Sequence, residues 1–206
     1  MSKQLTLAAL FISLTTAAGR SNAQAAAAAA KPLPTVDQQI AATVLALPAD
    51  LRANATVMGY RSAGKLETIR AGTNGMNCLA LFAVETDFHV ACYHDGMEPF
   101  MARGRELRAQ GVKGTGVDSV RFAEVKTGKL PMPKMATMYQ IFGKAGVWDA
   151  TTGKVSSDAQ TLLVVYIPDA TAKSTGLSPV PVKSGPWIMF PGTPKAHIMM
   201  SGTMVP

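Results

Sequence analysis

Residues 76–111 read MNCLALFAVETDFHVACYHDGMEPFMARGRELRAQG, and the change of hydrophobic period inside this stretch decides the fold class. Residues 76–84 and 88–93 read as two strands joined by the loop Glu85-Thr86-Asp87, a hairpin. Beyond it the period lengthens. Met97, Phe100, Met101, Gly104 and Leu107 recur at helical spacing and share one face over residues 97–110. Asp95 stands where a cap is needed, Pro99 falls in the first turn, and Gly111 stops the helix. A hairpin that runs straight into an amphipathic helix predicts an α+β chain.

The only two cysteines, Cys78 and Cys92, fall one on each strand of that hairpin. In an oxidising compartment two such cysteines pair. If they face each other, partners across the hairpin sum to 170, so Leu81 opposes His89 and Phe82 opposes Phe88.

Upstream, residues 56–61 and 65–70 flank Ser62-Ala63-Gly64 as another hairpin, and residues 36–46 read as a short amphipathic helix carrying Ile40 and Val44. Downstream, residues 112–130 are glycine-rich with a short helix at 117–126. Residues 135–142 and 161–167 read as strands, and 187–190 and 196–201 as short terminal strands. The predicted architecture is α+β: an antiparallel sheet built from hairpins with one main amphipathic helix packed on it, in a single domain over 36–206.

Residues 1–25 predict a secretory signal peptide: Lys3, an apolar run over 5–18, and the small-x-small form Ala23-Gln24-Ala25. The apolar run is short of the ~20 residues a membrane-spanning helix needs, and no later segment reaches that length. Residues 26–35, an alanine run ending in Lys31-Pro32-Leu33-Pro34, read as a flexible tether. The expected location is therefore periplasmic or secreted. Formal charge is +7, and +5 without Lys3 and Arg20. The bases are scattered, with no basic stripe interleaved with aromatics, which argues against nucleic-acid binding.

His89, His94 and His197 are the histidines. Imidazoles with a carboxylate suit metal-assisted hydrolysis, because a metal-bound water becomes a nucleophile near neutral pH. His89, His94 and His197 are the candidate metal ligands, for zinc or calcium. His94, Glu98 and His197 are the candidate catalytic groups, with imidazole as base and Glu98 as acid/base partner. His89 and His94 share a site only if the strand ends near Tyr93, since a strand alternates its faces. No Gly-x-Ser-x-Gly elbow is present. Met132, Met135 and Met138, with Met199, Met200 and Met204, raise copper as another cofactor, because soft thioethers select copper(I). Trp148 and Trp187 lie beside loops and could form a sugar-binding platform.

The segments GTNGMNC (72–78), HVACYHDGMEPFMARGRELRAQG (89–111), PKMATMYQIF (133–142) and GPWIMFPGTPKAHIMM (185–200) resemble a group of uncharacterised exported bacterial proteins. The resemblance covers most of the chain after residue 35. It implies an exported single-domain α+β protein and no particular activity. The functional expectation is an exported hydrolase of a small ester, lactone or amide. The alternative is a non-catalytic envelope protein that binds a small-molecule ligand or copper.

Overall fold

The computed structural model describes residues 32–182 and 185–202; the predicted signal peptide, and the tether as far as Lys31, lie outside them. Eight strands form one sheet: β1 Thr56–Tyr60, β2 Leu66–Arg70, β3 Met76–Leu79, β4 Phe88–His94, β5 Ala136–Gly143, β6 Gln160–Tyr166, β7 Trp187–Met189 and β8 His197–Gly202. Their order is β2-β1-β3-β4-β5-β6-β8-β7. The helices are α1 Val36–Thr43, α2 Ala49–Arg52, α3 Glu98–Ala109, α4 Thr115–Lys126 and α5 Ala172–Thr175. Among the described residues no helix is long and apolar enough to cross a membrane.

The α+β class holds, with two corrections. First, the sheet is mixed: β1 and β3 run parallel, Val57 beside Cys78. Strand β2 returns antiparallel to β1 and ends beside its start, where Arg70 pairs with Val57. The chain then steps across that start to the other edge of β1. Thr73 and Asn74 donate their backbone N–H groups to the Asn54 carbonyl at the crossing. The approach is close enough that a Cβ on Gly72 would lie 2.2 Å from the Thr56 nitrogen and 2.3 Å from the Ala55 carbonyl carbon. Second, the short helix expected at 117–126 is a second main helix, α4, as long as α3 at 12 residues. Helix α4 starts earlier than its sequence suggests, and Arg121 lies on its buried side.

The β3–β4 register is the predicted one: Cys78 faces Cys92 and Leu79 faces Ala91. The two sulfurs form a disulfide, with Cα atoms 3.9 Å apart. Beyond Leu79 the expected strand gives way to a 3₁₀ turn, Leu81–Ala83. Leu81 and Phe82 therefore make no ladder pairs with His89 and Phe88. The turn drops Phe82 into an aromatic cluster instead, its ring 5.1 Å from Phe88 and 4.9 Å from Trp148.

Both sheet faces are covered, and β4 shows why. Phe88, Val90 and Cys92 point into a core shared with Val57, Ile141 and the residues of α1 and its 3₁₀ extension. Tyr93 points the other way, into a core with Phe100, Met138, Val164 and Tyr166. A strand buried on both faces loses clean alternation in its sequence. Helix α1 is pinned by its one buried amide. Gln39 donates through Nε2 to the carbonyls of Pro34 and Tyr60 and accepts from the Tyr60 N–H, each at 2.8 Å.

The crossing at Gly72 generates a prediction. Gly72→Ala places a methyl group against main chain that cannot rotate away, and should lower stability by about 2 kcal/mol or more. Urea unfolding followed by far-UV circular dichroism measures it. The control Gly111→Ala should show a loss of backbone origin only, because nothing stands within 4 Å of its Cβ position and its φ is +87°.

Candidate functional site: the groove between α3 and the sheet

The face of the sheet that carries Tyr93 is not filled edge to edge. Helix α3 crosses it and leaves a groove of about 810 Å³. The volume falls in the range of about 300–1,000 Å³ usual for small-molecule sites. Met58, Leu66, Leu79, Leu81, Met101 and Met138 give it apolar walls, and Arg105, Arg108, Arg121 and Lys195 reach it as cations against Glu85 and Glu106. A second, more open hollow of about 550 Å³ adjoins it and shares Glu85, His89 and Gln140.

The groove exists because α3 is anchored to the sheet through a polar contact. The buried Tyr93 hydroxyl donates to Glu98 Oε2 at 2.5 Å. Arg105 donates to the Tyr93 oxygen at 2.9 Å and to Glu98 Oε1 at 2.5 Å. Burial, reinforced by the hydrogen bond to Glu98, pushes the Tyr93 hydroxyl far above its ordinary pKa. Both carboxylate oxygens of Glu98 are thus engaged in holding the helix.

At the α4 side of the groove lies a cluster built on Arg121, 4% exposed. Its guanidinium lies 3.8 Å from the centre of the Phe100 ring, donates to the Phe100 carbonyl at 3.1 Å and pairs with Asp118. Lys195 reaches the other oxygen of Asp118 at 2.9 Å. Two cations therefore share one carboxylate, and Arg121 Nε has no hydrogen-bond partner among the described residues. Gly104 permits this placement, since a Cβ there would come within 2.9 Å of an Arg121 nitrogen. Burial raises the Asp118 carboxyl, but the hydrogen bonds from Lys195 and Arg121 outweigh it and hold the pKa below the ordinary 3.8. Burial also pushes the Tyr166 hydroxyl up to about 12.

The structure separates the three histidines. Strand β4 continues through His94, so His89 and His94 project from opposite faces. His197 pairs with Tyr166, and Tyr166 with Ala136, which places His197 on the groove face. It stands three strand spacings from β4, roughly 14 Å at ~4.8 Å per strand. His89 pairs with Phe142, six positions along β5 from Ala136, or roughly 20 Å from the His197 level. Metal–nitrogen bonds near ~2 Å forbid a shared coordination shell at such distances. Among the described residues no three His, Cys, Asp or Glu side chains gather to hold a metal.

Each histidine has its own setting. His94 Nδ1 accepts from the Gly96 N–H at 3.1 Å and lies 3.3 Å from Asp95, so His94, rather than Asp95, caps the turn before α3. His89 Nδ1 is 3.2 Å from Glu85 Oε2. His197 is buried between the rings of Tyr166 and Phe190. Its Nδ1 lies 2.7 Å from the Lys195 carbonyl; a carbonyl only accepts, so Nδ1 carries the proton. Burial chiefly lowers the pKa of His197 below 6.5.

Met138 is buried in the core while Met135 is 66% exposed, so these two of the expected copper ligands do not share a site; Met132 and Met199 pack beside the Met138 core, and Met204 lies outside the described residues. Trp187 is buried and Trp148 packs on Phe82 and Phe88, so neither offers the exposed platform that their loop positions suggest. Sequence reasoning missed Arg121, Lys195 and Arg105. The one available signal was an arginine at the centre of a segment otherwise apolar enough for a buried helix face.

Two groups predict the pH dependence of stability. His197 titrates below 6.5 when folded, so the unfolded chain takes up the proton first. Its contribution is complete above pH 6.5 and declines as pH falls below that value through the folded pKa. Asp118, held below 3.8, contributes fully above pH 3.8 and loses its contribution as pH falls through its folded pKa. Urea midpoints recorded from pH 7 to 3 should fall in two phases, and His197→Gln should remove the upper phase alone.

No protein-family model, curated protein or solved structure matches this chain.

Proposed function

We propose that this chain is an exported, non-catalytic binding protein that holds a small, largely apolar molecule in the groove between α3 and the sheet. The observation that carries the reading is the groove itself: about 810 Å³ with apolar walls from sheet and helix and a few convergent polar groups, the usual make-up of a ligand site. The N-terminal pattern supports export, and the Cys78–Cys92 disulfide is compatible with an oxidising compartment.

One contact favours hydrolysis as a second reading. His89 stands beside the Glu85 carboxylate where the two hollows meet. With Nδ1–H donated to Glu85, Nε2 is left to take a proton from water as that water attacks an ester carbonyl, and to return it to the departing alkoxide, which leaves as the alcohol. This assigns the base to His89, where the sequence pointed to His94 and His197.

A titration with 8-anilinonaphthalene-1-sulfonate separates the readings. The folded protein should enhance the dye's fluorescence with saturable, one-site behaviour. Met58→Trp, which fills the groove, should weaken binding about 10-fold or more with unchanged circular dichroism. Equal binding by the variant would overturn the groove as the site. For the second reading, turnover of p-nitrophenyl butyrate that disappears in His89→Ala is required, and no turnover above the buffer rate would dismiss it.

A further inference from the structure

We infer that the groove selects an acidic amphiphile, one anionic group on an apolar chain, with the anion held at Arg121 and Lys195. The inference rests on the binding reading above and names the class of ligand.

Charge at the α4 end carries the argument. Arg121 and Lys195 share a single carboxylate, Asp118, so the cluster has one positive charge in excess, next to a guanidinium almost wholly removed from water. A buried cation in excess of its counter-charge is costly, and an incoming anion relieves that cost. Arg121 also keeps an N–H, at Nε, that has no acceptor among the described residues. A carboxylate or phosphate oxygen is the acceptor that planar guanidinium chemistry favours.

The backbone around Lys195 supports the same placement. Phe190 is held at φ +52°, a conformation that costs a bulky side chain energy and that clusters at functional sites. In that position its ring lies 4.3 Å beneath the Lys195 ammonium. Thr193 Oγ1 accepts from the Lys195 N–H and itself donates to the Phe190 carbonyl, closing the turn. The ammonium is thereby held between the ring and Asp118 rather than free in solvent. Away from this end Met58, Leu66, Leu79 and Leu81 supply apolar wall, and the charged groups beside them already have partners, Arg105 on Glu98 and Glu85 on His89. A molecule that matches the groove is therefore charged at one end and hydrocarbon at the other. A neutral amphiphile leaves the excess charge unanswered, and a cationic one adds to it.

The test is calorimetric titration of the full folded chain with four decyl probes: decanoate, decyl phosphate, decanol and decyltrimethylammonium. Decanoate or decyl phosphate should bind at least about 10-fold more tightly than decanol, with the ammonium weakest. The two anions also distinguish the head groups, since whichever binds more tightly identifies the natural one as carboxylate or phosphate. Lys195→Met leaves Asp118 matched one-for-one with Arg121, and should abolish the preference of the anions over decanol. Asp118→Asn leaves both cations unmatched, and should strengthen anion binding even as it lowers stability. A purely structural role for the cluster predicts no such gain. Decanol binding as tightly as the anions, or Asp118→Asn without effect on the anion preference, would overturn the inference while leaving the groove as a binding site. Failure of all four probes to bind would overturn the binding reading together with it.

Discussion

The pairing of Cys78 with Cys92 is the constraint on which the rest depends. It fixes β3 against β4, and with that register it fixes which residues of β4 face which layer. A slip of one residue would exchange the two faces. Phe88 and Val90 would leave the α1 core, and Tyr93 would turn away from α3. Because Tyr93 is the residue that α3 grips through Glu98 and Arg105, the position of the helix, and the groove beneath it, follow from the disulfide-locked pair.

Polar groups do much of the positioning in this fold. Gln39 joins α1 to the end of β1, the Tyr93–Glu98–Arg105 ring joins α3 to the sheet, and Asp118 joins α4 to the turn before β8. Each lies at a boundary between an apolar layer and a groove or edge. Buried polar contacts are directional, and an unmet partner is expensive. They set where helices lie with a precision that apolar packing alone does not impose. The groove is the space left over when α3 and α4 are held by these contacts rather than by continuous apolar faces.

The candidate site was less legible than the fold. Histidines attract attention in a sequence because their chemistry is versatile, yet here parity along β4 and the strand order disperse them. The cationic cluster assembles Arg121 from one helix, Lys195 from a turn far along the chain and a ring from another helix. None of these residues stands in a local motif, so no spacing rule could have joined them. The helix that carries Arg121 was legible at 117–126, but not that the arginine lies on its buried side.

What the sequence by itself determined is local. The period change between residues 93 and 97, the cysteine register, the start and stop of α3, and strands β5 and β6 were all readable, because each depends on side-chain alternation or on neighbours a few residues apart. The tertiary structure alone decided the rest: the parallel β1–β3 pair created by the crossing at Gly72, the turn that replaces the strand after Leu79, and the meeting of Arg121 with Lys195. These depend on contacts between residues distant in the chain. The energy of such contacts appears only when packing brings the partners together and removes them from water.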